Sequence, residues 1–336
     1  MLRFLRCFIA VILPWVVTFG QDLHYSQFYY NQQNQNPALI GMFDGDHRIS
    51  ANYRNQWLSV PVPYMSTSIL FDSKYRLRNF KDHMGWGVGM DYDRAGDSRL
   101  SMAKLQLGLN YYKSVAKKHA FSIGLAPSFA QRRLSEENLK WDVQWNGDRY
   151  DPTRSNKENF GATGKFFLDL SGGVAYHFVQ SKRTRVSLSA GFYHINKPSQ
   201  SFYSNQNIET NLPIRYHYGL ASNFALFSWI DLAVFGQFQI QDQYQEIVGS
   251  SLIRLYVNQK PGSKFNLLLG CGIRLEDAII PSIGFEYNSW LVSGSYDINT
   301  SPFKTATRQR GGPELSVQYY FRSVPPFGIY KKCPIY

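Results

Sequence analysis

The stretch Phe167-Leu168-Asp169-Leu170-Ser171-Gly172-Gly173-Val174-Ala175-Tyr176-His177-Phe178 alternates two kinds of side chain. Leu168, Leu170, Gly172, Val174, Tyr176 and Phe178 fall on one face of an extended chain, and Asp169, Ser171, Gly173, Ala175 and His177 on the other. A pleated strand sends successive side chains to opposite faces, so this is a strand with one apolar and one polar side. Ile230 to Gln241 repeats the pattern: Ile230, Leu232, Val234, Phe238 and Ile240 oppose Asp231, Gln237, Gln239 and Gln241. The polar side decides the setting. A soluble sandwich would show a solvent face rich in Lys and Glu, whereas these mid-strand positions are mostly uncharged or small. A polar lumen with lipid outside fits better, and the segments have the roughly ten residues that a tilted strand needs to cross a bilayer.

Extending the reading outward gives fourteen segments: 46–57, 64–72, 84–93, 101–112, 119–131, 166–178, 184–194, 214–225, 229–241, 244–258, 264–274, 278–287, 290–298 and 313–321. Outer-membrane barrels keep short turns on the periplasmic side and long loops outside. If the first strand starts in the periplasm, the turns at 180–183, 226–228, 260–263 and 288–289 share that side, and the long connections 132–165, 195–213 and 299–312 share the other. The expected fold is all-β: an antiparallel outer-membrane β-barrel of about 14 strands over 46–321, ending on the aromatic Phe321. Residues 21–45 and 322–336 are expected outside the barrel strands, as periplasmic N- and C-terminal segments, with 21–45 able to fold over or into the barrel. Leu268, Phe235 and Leu252 fall on the inner face, so the lumen is expected to be partly filled rather than a wide pore.

The N-terminus sets the compartment. Arg3 and Arg6 precede an apolar run from Cys7 to Val17, and Thr18-Phe19-Gly20 leads to Gln21. A basic start, a short apolar stretch and small residues make 1–20 a signal peptide, with cleavage before Gln21. The run falls short of the ~20 residues a spanning helix needs. Cleavage lowers the formal charge from +12 to +10 and leaves Cys271 and Cys333. Two cysteines do not make a disulfide scaffold, and no later apolar run is long enough for a helical span.

No catalytic or metal motif assembles. His24, His47, His83, His119, His177, His194 and His217 stand at no metal-ligand spacing, and no cysteine pair joins them. Asp169 and His177 share an inner face but lie eight residues apart, roughly 26 Å at ~3.3 Å per residue, too far for a triad. Gly85, Gly87 and Gly89 share one strand face, a pattern for packing or bending rather than a phosphate loop. Neither an enzyme nor a cofactor is expected. Cys271 is expected on the lipid face with Leu267, Leu269 and Ile273. A lipid-facing or unpaired Arg is costly, so Arg54 and Arg254 are expected to point inward with carboxylate partners. A hairpin turning at Asp242-Gln243 sets Asp231 opposite Arg254; for Arg54 the sequence names no partner.

Three blocks carry a family resemblance. Gln21-Asp22-Leu23-His24-Tyr25-Ser26-Gln27-Phe28-Tyr29, then Asn36-Pro37-Ala38-Leu39-Ile40-Gly41, then Arg48-Ile49-Ser50-Ala51-Asn52-Tyr53-Arg54-Asn55-Gln56-Trp57 occur in order at the mature terminus. There the chain resembles the PorP/SprF family, membrane proteins of the Bacteroidetes type IX secretion system. The resemblance continues through Gly85-Trp86-Gly87-Val88-Gly89 and Asp93-Arg94-Ala95-Gly96-Asp97, and weakens after residue 130. It marks Gln27, Phe28, Asn36, Pro37, Tyr53, Arg54 and Trp57 as motif or lumen residues. It implies a barrel of the cell outer membrane that serves secretion or surface display. Some members are core components of the machine, and others partner a large surface adhesin, as in gliding motility.

On the strand map the positive charge is uneven. The periplasmic-side connections and the C-terminal tail hold 15 Lys/Arg against the single acid Asp82, whereas the outer loop 132–165 balances seven bases with six acids. Such a ring faces inner-leaflet headgroups or an acidic periplasmic partner, with Arg76, Arg78, Lys117, Lys118, Lys182, Arg183, Lys331 and Lys332 as candidate contacts. Export makes nucleic acid implausible. The expected role is a non-enzymatic component or accessory of type IX secretion. Its expected partners are outer-membrane lipids, periplasmic secretion subunits and secreted cargo such as an adhesin. The alternative is a porin-like solute channel, which an open lumen would support, whereas a lumen filled by residues 21–45 would favour the secretion role.

Overall fold

Alternation dictates extended chain with two unlike faces, and a sheet with a lipid-facing apolar side must close on itself to leave no unpaired edge. The computed structural model describes residues 22–56, 64–77, 82–96, 98–136, 139–157, 160, 162–203, 210–302 and 310–322. These form the strands β1 (His47–Gln56), β2 (Tyr64–Arg76), β3 (His83–Ala95), β4 (Leu100–Ser114), β5 (His119–Arg133), β6 (Gly164–Val179) and β7 (Arg185–Tyr193). The series continues with β8 (Arg215–Phe227), β9 (Ile230–Gln241), β10 (Tyr244–Asn258), β11 (Phe265–Arg274), β12 (Ala278–Tyr287), β13 (Trp290–Asn299) and β14 (Arg310–Phe321). Each pairs antiparallel with its sequence neighbours, and β14 closes on β1 through His47↔Phe321 to Arg54↔Glu314, giving a closed barrel of fourteen strands. Among the described residues no helix is long and apolar enough to cross a membrane; the crossing is made by strands.

The faces fall as the alternation requires. Leu168 (68% exposed), Ile283, Ile123 and Met90 point outward, while Asp169, Ser171, His177, Gln237 and Gln239 are buried inside. Cys271 is exposed on the outer face. Two-residue turns at Asp242-Gln243 and Asn288-Ser289 place Asp242 (φ 53°) and Asn288 (φ 51°) in the left-handed region that Asn and Asp tolerate. Several strands run past the alternating segments. β2 continues through Lys74, Tyr75 and Arg76, where the chain leaves the apolar zone and the outer face no longer needs to be greasy. β7 is shorter than its segment and stops at Tyr193.

The larger departure concerns residues 21–45, which the sequence assigns to a periplasmic segment outside the strands and leaves free to fold over or into the barrel. Their described part, 22–45, lies inside it. Three short helical turns, Phe28–Tyr30, Gln32–Gln35 and Pro37–Leu39, carry this plug through the lumen, and most of its side chains are buried. The plug begins at the long-loop end, where Asp22 meets Arg215 at the start of β8 and His194 just after β7. It leaves at the short-turn end, where Asp46 N–H donates to the Phe321 carbonyl at 2.8 Å and the chain turns into β1. A segment rich in Asn, Gln and Tyr but without Lys or Arg suits either water or a polar lumen; the lumen wins because its own amides and carboxylates need partners.

Candidate functional site

Near mid-depth the plug supplies aromatic bulk. Tyr29 stacks on Phe235 with ring centroids 4.3 Å apart and planes 11° off parallel. Phe28, Tyr29 and Tyr30 join the inward Val248, Leu252, Leu268, Ala278, Ile280 and Leu291 in the buried core. The inward apolar residues expected to narrow the lumen therefore form the seat of the plug.

Toward the long-loop end the plug is gripped by charge. Glu314 accepts the Ser26 and Gln27 N–H groups at 2.7 and 2.8 Å, and Arg54 donates to the His24 carbonyl at 2.8 Å. Asp297 is shared by Arg54 at 2.7 Å and Arg274 at 3.0 Å, and accepts the Ser26 hydroxyl at 2.6 Å. Arg274 also faces Glu246 at 3.3 Å, whose other oxygen accepts Gln237 and Gln239 at 2.9 and 2.8 Å. At the top, Asp22 lies 3.0 Å from His194 Nε2 and 3.1 Å from Arg215, while His194 Nδ1 lies 3.0 Å from Asp169 as an ion pair. Arg215 packs over the Tyr193 ring at 4.1 Å and donates to the carbonyls of Leu23 and Asn34. Burial would raise the Asp22 carboxyl, but Arg215 and His194 outweigh it and hold its pKa well below the usual carboxylate range. Burial likewise works against the His194 imidazolium, yet Asp169 and Asp22 prevail and its pKa is raised.

Toward the short-turn end the plug is gripped by shape. A side chain at Gly85 would run into the Ile40 carbonyl, and one at Gly124 into the Pro37-Ala38 peptide. Gly173 and Gly191 make the same room for Asn36 and Gln35. Asn36 then bridges wall and plug: its Nδ2 donates to the Val174 carbonyl at 3.0 Å and its Oδ1 accepts Ala38 N–H at 2.8 Å. Below this cradle Asp72 accepts Gly41 N–H at 2.8 Å and a two-pronged pair from Arg48 at 2.9 and 2.7 Å.

Gln27, Phe28, Asn36 and Pro37 are thus plug residues in the lumen. Arg54 points inward, and its carboxylates are Asp297 and Glu314. Tyr53, grouped with them from the sequence, points out to the lipid side at 40% exposure because it neighbours inward Arg54 on the same strand. Trp57 lies outside the described residues. Arg254 is in register with Asp231, as the hairpin requires, but its close partner is Glu286 at 3.0 Å, with Asp231 at 3.9 Å. Asp231 is taken instead by Arg183 at 2.6 Å. Arg183 also donates to the carbonyls of Phe227 and Ser228, so it clips two turns together rather than projecting from the rim. Arg76, Lys117, Lys118 and Lys182 are exposed at the short-turn end, with Tyr75, Phe227 and Trp229 exposed beside them. Arg78, Lys331 and Lys332 lie outside the described residues.

His177 and Asp169 stay apart. His177 meets the hydroxyls of Ser122 and Ser187, each at 2.9 Å, while Asp169 serves His194. Among the described residues no group of His, Cys, Asp and Glu could hold a metal ion. The Asp22–His194–Arg215–Asp169 cluster escaped the sequence reading because its members come from the plug, a loop and two strands.

Fourteen closed strands, a greasy outer face and a filled polar lumen define a membrane-embedded outer-membrane β-barrel. Among solved structures it is similar to the Ralstonia pickettii toluene transporter TbuX, at 12% identity, 87% of this chain, 94% of that chain and a TM-score of 0.51. It is also similar to the CymD monoaromatic hydrocarbon channel, at 11% identity, 88% and 93% coverage and a TM-score of 0.49. At 12% identity the likeness to TbuX is one of fold. No curated protein matches the chain. Residues 17–319 match the family described as type IX secretion system membrane protein PorP/SprF, and the chain belongs to that family. Family and fold are those of a secretion-system membrane barrel, not of an enzyme class.

Proposed function

We propose that this barrel is a non-enzymatic accessory or component of type IX secretion that binds or anchors secreted surface proteins, such as an adhesin, at its long-loop end. The observation that carries this reading is the occupied lumen: a plug held along its length by buried pairs and close backbone contacts suits a binding scaffold better than a solute pore. The exposed bases at the short-turn end suit contacts with periplasmic secretion subunits or with anionic headgroups. Affinity purification from the native cell in mild detergent tests the reading. A large surface protein and periplasmic secretion subunits should co-elute. A lone barrel that conducts ions in planar bilayers would favour the porin-like channel instead. Neutralising Arg76, Lys117, Lys118 and Lys182 together should release the periplasmic subunits, and unchanged co-purification would remove the rim from the proposal.

A further inference from the structure

We propose that His194 and Arg215 form a carboxylate-binding clamp at the long-loop mouth of the lumen, and that Asp22 occupies it as an internal stand-in for a carboxylate on an extended polypeptide partner. The geometry is that of a bound anion. The Asp22 carboxylate is met by an imidazole nitrogen at 3.0 Å and a guanidinium at 3.1 Å, and Arg215 is almost wholly buried. Both ring nitrogens of His194 face carboxylates, so the doubly protonated ring is the form that suits the site. Beyond it Lys104 pairs with Asp91 at 3.1 Å. With Asp22 in place, the four cations Arg215, His194, Lys104 and Arg132 face the four carboxylates Asp22, Asp169, Asp91 and Asp93; with Asp22 withdrawn, they face only three. A buried excess of positive charge demands an anion.

Two further features fit an exchangeable occupant. The wall near Asp22 reads the plug largely through its main chain: Arg215 donates to the Leu23 and Asn34 carbonyls, Arg54 donates to the His24 carbonyl, and Glu314 accepts the Ser26 and Gln27 N–H groups. Any extended polypeptide offers those groups. His194 itself rides on a loop with φ 59°. There the β6–β7 ladder has ended at Gly172↔Phe192, and the Asn196 side chain bridges to Leu168 and Leu170 instead. His194 can therefore shift without breaking a strand ladder, while Arg215 stays fixed in register with Tyr193 and Gln241. That the arriving carboxylate belongs to secreted cargo rests on the function proposed above; the clamp does not.

The test uses the full chain in detergent micelles without cargo, so its outcome is independent of any co-purification result. Asp22→Ala should speed amide hydrogen exchange across 22–30 at least tenfold. Acetate should restore protection, acetamide should not, and acetate should have no effect when Arg215→Gln is added. If Asp22→Ala does not fold, the isosteric Asp22→Asn chain is titrated with a labelled peptide, acetyl-Asp-Leu-His-Tyr-amide. That chain should bind the peptide at least tenfold more tightly than the wild-type chain, whose clamp is filled. Unchanged exchange, equal rescue by acetamide, rescue that survives Arg215→Gln, or equal peptide binding by both chains would overturn the proposal.

Discussion

At its long-loop end the plug meets arginines, carboxylates and a histidine; at its short-turn end it meets mainly glycines, with one buried Asp72–Arg48 pair below them. Residues 22–27 are held by Asp297, Glu314, Arg54 and Arg215 through buried contacts of 2.6 to 3.3 Å, several of them aimed at the plug backbone. Residues 36–41 are held because Gly85, Gly124 and Gly173 leave no room for anything between wall and plug. Charge pairs can be exchanged, titrated or competed for. A steric cradle admits one shape and holds it whatever the solution conditions. The comparison makes the short-turn half the fixed root of the plug and the long-loop half its adjustable end.

The largest effect is expected from Asp297→Ala. It strips Arg54 and Arg274 of a shared buried carboxylate and should cost about 3–5 kcal/mol in thermal unfolding of the purified barrel. A cost no greater than that of a surface change would break the claim that charge holds this end. Gly124→Val comes next, at about 1–3 kcal/mol from overpacking against the Pro37-Ala38 peptide, with loss of protection at 36–41. Gly249→Val is the control, since nothing lies within 4 Å of the added carbon, and should change stability by less than about 0.5 kcal/mol.

A pH series separates the two ends more finely. The raised His194 pKa means its hold on Asp22 is complete below the ordinary imidazole value of about 6.5 and fades as pH rises through the higher folded value. The lowered Asp22 pKa means its share is complete above about 3.9 and is lost only as pH falls through the lower folded value. After correction for intrinsic chemical rates, exchange across 22–30 should be slowest between these limits and rise on the alkaline side. Exchange across 36–41 should show no such alkaline rise, and a parallel response would merge the two ends into one unit. The smallest effect is expected from neutralising exposed Lys117, Lys118 and Lys182, at under about 1 kcal/mol each in stability, because solvent-exposed charges are weakly coupled to the fold.

Much of the fold could be read from the chain because its information is local. In β6 every second residue faces lipid, so Leu168, Val174 and Tyr176 alternate with Asp169, Ala175 and His177. The hairpin at Asp242-Gln243 likewise set Asp231 in register with Arg254. Gly85, Gly87 and Gly89 announced a packing face without naming what packs there. The site was harder to read because its contacts join residues far apart in the chain. Arg54 reaches Asp297 across 243 positions, and His194 reaches Asp22 across 172. No spacing rule links such pairs.

The sequence by itself determined that this is a closed antiparallel barrel of the outer membrane with an inward-facing polar wall, since lipid outside and backbone pairing within leave few other solutions for alternating strands. Only the tertiary structure decided that 22–45 fill that barrel. An amide-rich segment is equally content in water or against a polar wall. The choice falls to the complementarity of glycine gaps, carboxylates and guanidinium groups that closure of the fourteen strands brings together.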